Sequence, residues 1–282
     1  TFYKTWSMNR YMSGLTSAEE IIRCSRVSVF IIDPRQVVNP QNTDLQMITN
    51  AAAAQNANVT NFGLPYQFRA GGSSRYTDWI ESMMYPDPNN RPHFNLQPGT
   101  QAEPMRFNIV DDPNIFQTMI AANPTNDIRM ISGYCWLWNK PTGGRLPLDI
   151  QIINHPSTPY PTVSSFTAPW EDKRPGRAAT WAIRLDAIDE VGCIYTIQGL
   201  DFDRICLIWP LDLQWDAAAQ AWSGYPGRVP HKGTAGNGPN MYDNWDKDLK
   251  DLDQAAIVSY LQNVYNVLLT RANAEIFVYF MH

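Results

Sequence analysis

The chain has 282 residues, 44% of them hydrophobic and 17% charged, with a formal net charge of −5. That composition excludes an intrinsically disordered chain, and it excludes a protein that coats nucleic acid through overall positive charge, although a local basic groove is compatible with it. The length allows one large domain or two modest ones.

In chain order, Ser17–Glu20 has a capping-box pattern and opens a short helix carrying Ile21, Ile22 and Cys24. Val27–Ile32 is apolar and rich in β-branched residues, which predicts a strand covered on both faces, stopping at Asp33-Pro34-Arg35-Gln36. Polar residues at the carboxyl end of such a strand are where open α/β sheets keep ligand chemistry. Asp44–Ala57 has a helical pattern. Leu64–Arg69 reads as extended and is broken by Gly71 and Gly72. Ser73 or Ser74 then caps a helix with Tyr76, Trp79, Ile80 and Met83 on its apolar face. Residues 85–104 are Pro- and Asn-rich loop. Asp112 and Pro113 start a helix over 115–122, and Ile128–Trp136 is the next core strand.

Residues 139–180 are rich in Pro and Gly and read as an insertion over the sheet, with a short strand at Asp149–Ile153. Strands follow at 191–196 and 203–209, joined by a polar turn centred on Gln198-Gly199. A Gly-rich excursion occupies 214–244. Asp253–Thr270 is the strongest helix, with Ile257, Leu261, Val264, Val267 and Leu268 on its buried side, and the last strand is 275–280. Strands alternating with helices predict a mainly parallel sheet with helices on both faces.

The remaining composition is mostly silent on chemistry. Cys24, Cys135, Cys193 and Cys206 are widely spaced in apolar surroundings and read as buried free thiols of a reducing, cytoplasmic compartment. His93, His155, His231 and His282 lack metal-ligand spacing, so no metal site is assigned. No apolar run reaches membrane-spanning length. The acidic stretch Asp243–Asp253 reads as a solvated loop leading into a helix. The sequence opens on Thr1 within helical-looking sequence, and a fragment of a longer protein is the expectation.

Five segments in order carry a family likeness: Ser28–Val38, Leu64–Arg69, Ser132–Trp138, Val191–Asp203 and Tyr265–Ala272. Together they resemble the family called domain of unknown function 2075, within the superfamily 1 helicase-like P-loop NTPases. Each segment is weak alone; five in sequence, over nearly the whole chain, are specific. The resemblance implies an α/β, RecA-like fold. Residues 1–60 would be the tail end of a first RecA-like domain, and 61–282 a second one with insertions at 139–180 and 214–244. It implies ATP with Mg2+ between the two domains, and nucleic acid as partner, DNA more than RNA.

The same resemblance assigns roles. Asp33 and Gln36 look like the third motif, with Gln36 near the γ-phosphate. Gln67 and Arg69 look like the fourth, with Arg69 approaching the phosphates. Gln198, Gly199 and Asp201 look like the fifth, where glycine admits the backbone closely and the acid meets the ribose or an adjoining arginine. Thr270 and Arg271 look like the sixth, with Arg271 as an arginine finger. Thr196, Tyr195 and Gln67 are the implied nucleic-acid contacts, although Tyr195 stands where relatives often carry His.

The chemistry suits these residue types. Phosphoryl transfer relies on positioning and charge stabilisation, and a guanidinium grips phosphate oxygens without ever losing its charge. The sequence also departs from the pattern. Gly71-Gly72, Gly143-Gly144 and Gly233–Gly238 all lack the Lys-Ser/Thr of a phosphate-binding loop, and no Asp-Glu pair ends a strand. Those groups are expected upstream, in a preceding RecA-like domain, so this chain alone would not hydrolyse ATP.

Plainer readings stand beside these. Arg271 can serve the last carbonyls of its helix, Arg69 a surface ion pair, Gln36 the turn after its strand, and Asp201 and Asp203 ordinary turns. Tyr134, Trp136, Trp138 and Trp170 can stack bases or simply pack, and Arg174–Arg177 can be a solvated loop. At the level of the protein, the alternative is a non-catalytic RecA-like interaction or scaffold module. A third reading makes the chain the ATPase of a system acting on foreign DNA, with cleavage left to a nuclease domain or subunit.

Overall fold

A computed structural model describes residues 14–40, 42–64, 69–87, 104–125, 127–136, 138–152, 165–224, 249 and 252–281. The chain divides into two compact units, Thr1–Tyr66 and Gln67–His282.

The first unit is built on two helices. Helix α1 (Ser17–Cys24) is capped one residue earlier than the pattern predicts. Thr16 Oγ1 accepts the Glu19 amide, and the Glu19 carboxylate accepts the Thr16 amide in return. Helix α2 (Leu45–Ala54) is capped by Asp44, which accepts from the Met47 amide at 2.7 Å. Ala18, Ile48 and Ala51 form a small core, against which Ile22, Phe30 and Ile32 pack. The strand expected at Val27–Ile32 does not form among the described residues. Phe30 and Ile32 face the helices, while Val27, Val29 and Ile31 are 82–84% exposed. An apolar β-branched run becomes a covered strand only when a neighbouring strand takes up its backbone groups. Here one side packs and the other does not.

In the second unit the elements run α3 (Ser74–Met84), β1 (Arg106–Ile109), α4 (Asn114–Ala122), β2 (Ile128–Ser132), β3 (Ile150–Ile152), β4 (Phe166–Ala168), β5 (Val191–Gly192), α5 (Ile194–Ile197), β6 (Phe202–Trp209), β7 (Leu213–Asp216), β8 (Ala221–Gly224), α6 (Gln254–Leu269) and β9 (Ala272–Phe280). Five strands form the central sheet in the order β1-β9-β6-β2-β5, every pair parallel. Every residue of β2 is buried, as a strand covered on both faces must be. This is the α/β, RecA-like architecture expected of the sequence. β3–β4 and β7–β8 are separate antiparallel pairs.

The second unit differs locally from the sequence reading, and the strand expected at Ile128–Trp136 ends at Ser132. β1 lies between the 85–104 loop and the helix start at Asp112, in a stretch given no element; its four residues alternate too briefly to stand out, and its register against Glu275–Val278 of β9 makes it a strand. The strand expected at 191–196 stops at Gly192. There the Thr196 hydroxyl accepts the Cys193 amide and donates to the Cys193 carbonyl, winding 194–197 into a helical turn. Cys24 is exposed rather than buried, whereas Cys135, Cys193 and Cys206 are buried free thiols. Gln67, the four histidines and most of the 243–253 acidic stretch lie outside the described residues.

Two aromatic arrangements fix the second unit. Trp209 of β6 stacks on Tyr265 of α6 at 4.1 Å and on Trp222 of β8 at 5.8 Å, which ties sheet, helix and hairpin together. The Tyr265 hydroxyl donates to the fully buried Asp212, and Trp222 Nε1 donates to the Met83 carbonyl at 2.9 Å. Near the other end of the sheet, the buried Arg129 guanidinium donates to the carbonyls of Thr125, Ile128, Ala182 and Arg184. It lies 5.7 Å from the Trp181 ring and 5.9 Å from the Phe202 ring. One buried cation thereby fastens the short 3-10 segments Ala178–Ile183 and Leu185–Ala187 to β2.

Trp181 in turn lies directly over Gly192. A Cβ built on Gly192 would stand 2.6 Å from the indole. Gly192→Ala is therefore expected to lower stability by about 1–3 kcal/mol through overpacking. At roughly 2–4 °C per kcal/mol for a domain of this size, a thermal melt will read it as a clear fall in Tm.

Candidate functional site

The amino edge of the central sheet gathers several of the predicted residues. α6 ends at Leu269, and Arg271 immediately precedes β9. The Phe202 amide donates to the Arg271 carbonyl at 2.9 Å, so the start of β6 and the foot of α6 are locked side by side. Gln198, Gly199 and Asp201 form the bend into β6, and Gly199 takes φ +92°, a conformation glycine adopts without strain. The Arg271 guanidinium meets Asp201 Oδ1 at 3.5 Å. It thus lies on the side of the Gln198-Gly199 bend, and it is covered: Arg271 is 2% exposed, whereas the Asp201 side chain is 41% exposed.

The backbone after Arg69 approaches the same edge by a different route. It leads into the turn Ala70–Gly72, where Gly71 has φ +63°. A Cβ on Gly71 would come 2.5 Å from the Asn273 carbonyl, two residues beyond Arg271. The close approach of two backbones explains why glycine stands there. The foot of α6 has a further tie that the sequence did not disclose. The fully buried Tyr76 donates its hydroxyl to the Leu269 carbonyl at 2.8 Å, and burial pushes its phenol pKa up. Thr270 donates its hydroxyl to the Asn266 carbonyl at 2.8 Å. Tyr76 read only as part of an amphipathic stripe, and a phenol at such a position has no sequence signature.

The other predicted residues are placed as follows. Asp33 and Gln36 lie in the first unit, where Gln36 Nε2 donates to Asp33 Oδ2 at 2.7 Å and Asp33 Oδ1 accepts the Arg35 amide at 3.0 Å. This is the turn-capping arrangement, with residues 34–36 forming a single 3-10 turn. Thr196 spends its hydroxyl on capping α5, and Tyr195 projects from α5 against Tyr134 at 4.9 Å, edge to face. Gln67 is outside the described residues.

Beneath Tyr195 lies a buried carboxyl that sequence reading missed. Glu171 Oε1 accepts the Cys193 thiol at 3.0 Å, and Glu171 Oε2 is buried without a hydrogen-bond partner. Desolvation raises its pKa to about 7, and nearby Glu190 adds to the rise. Burial and the adjacent carboxyl push the Cys193 thiol well up as well. The next residue behaves oppositely. The Arg174 hydrogen bonds hold Asp172 down at about 2, and Arg177 bonds it too. Among the described residues no group of three or more His, Cys, Asp or Glu side chains could hold a metal ion, and no helix is long and apolar enough to cross a membrane.

The five-stranded parallel sheet with its helices is an α/β, RecA-like domain. The sequence comparison agrees with that class and narrows it. Residues 4–282 match the family described as Schlafen group 3, DNA/RNA helicase domain, and the chain belongs to that family. It is also 30% identical over 115 residues, 41% of its length, to an uncharacterized protein of Saccharomyces cerevisiae. The match spans 23% of that yeast protein. No solved structure matches the chain significantly.

The Glu171 carboxyl makes a pH prediction. Its folded pKa lies above its unfolded value, so the native state holds the extra proton between the two. Stability is greatest at low pH on this account, and falls as pH rises from about 4.5 through about 7, by a total on the order of 3 kcal/mol. Glu171→Gln keeps the shape and removes the titration. Urea melts at pH 5 and pH 8 should converge in the variant, and an undiminished difference would exclude Glu171 as its source.

Proposed function

We propose that this chain supplies the second RecA-like domain, residues 61–282, of a superfamily 1 helicase-like motor, related to the domain of unknown function 2075 proteins, and that Arg271 is its arginine finger. The observation that carries the reading is the placement of Arg271 beside the Gln198-Gly199 bend, at the edge also reached by the turn that follows Arg69. In this reading residues 1–60 close the first RecA-like domain, and Asp33 and Gln36 serve the nucleotide from that side. The intact protein works in the cytoplasm on nucleic acid, DNA in preference to RNA.

The residues present fit a triphosphate as partners, not as its cradle: two arginines, a backbone bend free of side chain, and an acid that orients one guanidinium. ATP with Mg2+, when bound, supplies the transferable phosphoryl group and partial neutralisation of its charge. Arg271 and Arg69 would present fixed positive charge to phosphate oxygens. Asp201 would hold the Arg271 guanidinium in orientation until it is needed, and Gly199 would let the backbone approach closely. Tyr76 would keep the helix foot, and so the origin of the Arg271 side chain, from drifting. Because Arg271 is covered, its engagement requires Asp201 or the adjoining bend to move, which makes the positive charge available only on closure.

That same covering favours a second reading, an interaction module in which the Arg271–Asp201 pair is purely structural. The complete protein separates the two. Arg271→Ala is expected to lower nucleic-acid-stimulated ATP hydrolysis by about 10³–10⁵-fold. Hydrolysis at the wild-type rate in a folded variant would remove the finger and leave the structural pair.

A further inference from the structure

We propose that Glu171 is a positioning residue for the Arg271–Asp201 pair: one proton on its buried carboxyl sets how firmly the helical turn α5 holds the bend at 198–201, and so how readily Arg271 is released. This role rests on the reading of Arg271 given above and adds a control to it.

The backbone of Glu171 is fixed beside β5. Its amide donates to the Val191 carbonyl at 3.1 Å, and its carbonyl accepts the Trp138 indole at 2.7 Å. Its carboxyl faces Cys193, the residue that caps α5. Oε1 accepts the thiol at 3.0 Å, and Oε2 is buried with no hydrogen-bond partner. The Thr196 hydroxyl has one proton to give, and it donates to the Cys193 carbonyl at 3.0 Å. That hydroxyl also reaches Glu171, where a hydrogen bond favours the charged carboxylate. Two acceptors therefore compete for one proton at the start of α5. From α5 to the bend the ties are short. The Gln198 amide donates to the Ile194 carbonyl at 3.1 Å, and the Leu200 amide to the Ile197 carbonyl at 3.0 Å. Gly199 has open space around its α-carbon, and Asp201 follows, 3.5 Å from Arg271.

The chemistry sets the direction. While Glu171 is neutral, the thiol satisfies Oε1, the Thr196 proton stays on the Cys193 carbonyl, and α5 remains wound. Ionised, the carboxylate is a buried charge with a weak thiol donor and one bare oxygen, and it draws the Thr196 proton away from the cap. The charges around it give no relief. Glu190, just before β5, repels it, and is itself bonded by Arg184 at 2.8 Å and by the Asp172 amide at 3.1 Å. Asp172 takes up Arg174 and Arg177. Among the described residues no cation pairs with Glu171. The carboxyl loses its proton as pH rises through about 7, so the turn is tight on the acid side and loosened on the alkaline side. A loosened bend lets Asp201 leave Arg271 at a smaller cost, which shifts the population toward the released guanidinium.

The test uses the complete protein and two readouts: the pH profile of nucleic-acid-stimulated ATP hydrolysis, and hydrogen exchange of the amides of residues 194–201. Between pH 6 and pH 8 the wild-type kcat is expected to rise about five-fold or more with KM for ATP unchanged. Exchange of those amides, divided by the intrinsic rate, should rise with it. Glu171→Gln keeps an acceptor for the Cys193 thiol and cannot ionise, and it should lose both rises. Thr196→Val removes the contested proton and should lose them too, whereas Thr196→Ser should retain them. The Thr196 pair carries the comparison if Glu171→Gln does not fold. Histidines titrate in the same range, so the difference between wild type and variant is the reading. If Glu171→Gln or Thr196→Val keeps the wild-type response, or exchange at 194–201 is indifferent to pH in the wild type, the positioning role is overturned while the finger stands. If Arg271→Ala hydrolyses ATP as fast as wild type, the finger reading fails, and with it the role of Glu171 in hydrolysis; the exchange comparison then still decides whether Glu171 controls the bend.

Discussion

The hydrogen bond from the Phe202 amide to the Arg271 carbonyl joins the start of β6 to the start of β9. Because β6 and β9 are adjacent and parallel, everything that immediately precedes either strand is brought to one edge. The bend before β6 and the last turn of α6 become neighbours through this pairing, although some 70 residues separate Asp201 from Arg271 in sequence. Tyr76 contributes the third fixed point by bonding the last helical carbonyl, and the Gly71 turn completes the arrangement by pressing against Asn273. The edge chemistry is therefore a property of strand order. Charged side chains are held there by backbone pairing, which does not depend on the side chains themselves.

The carboxyl edge is organised by a different principle. There the sheet ends early, at Ser132 and Gly192, and the chain closes over with rings and a short helical turn. The turn is held from beneath by Glu171 through the Cys193 thiol, a contact with one proton to share and one oxygen left unsatisfied. Such a group costs stability when ionised, and proteins tolerate that cost most often near function. From the end of β5 the chain returns to the start of β6 through residues 193–201. The link from Tyr195 to the Gln198-Gly199 bend is one turn of helix, packed on a sheet whose core leaves little room to deform.

Much of this was legible in the sequence. α6 was evident because its apolar residues repeat with helical spacing over four turns and Asp253 caps it. β6 and β9 were evident as continuous apolar runs, and the Gln198-Gly199 bend as the polar break before one of them. Arg271 was singled out by the resemblance of Tyr265–Ala272 to a sixth motif, and it stands between α6 and β9. What the sequence hid was tertiary in origin. Val27–Ile32 carries every local mark of a strand, but a strand needs a partner, and local residue choice cannot show whether one is present. Tyr195 and Thr196 have strand propensity, yet two bonds from one hydroxyl turn them into helix. Glu171 and Tyr76 matter because of what lies across from them, 22 and 193 residues away. No spacing rule reaches that far.

The distribution of thiols has a practical side. Cys135, Cys193 and Cys206 are sealed in the second unit, and burial raises the pKa of each, so all three are poor nucleophiles. Cys24, at the end of α1 in the first unit, is open to solvent. Within these residues a maleimide fluorophore would react at one position without any engineering. A dye placed there, paired with an acceptor introduced on the second unit, would follow the distance between the two units as nucleotide and oligonucleotide are added.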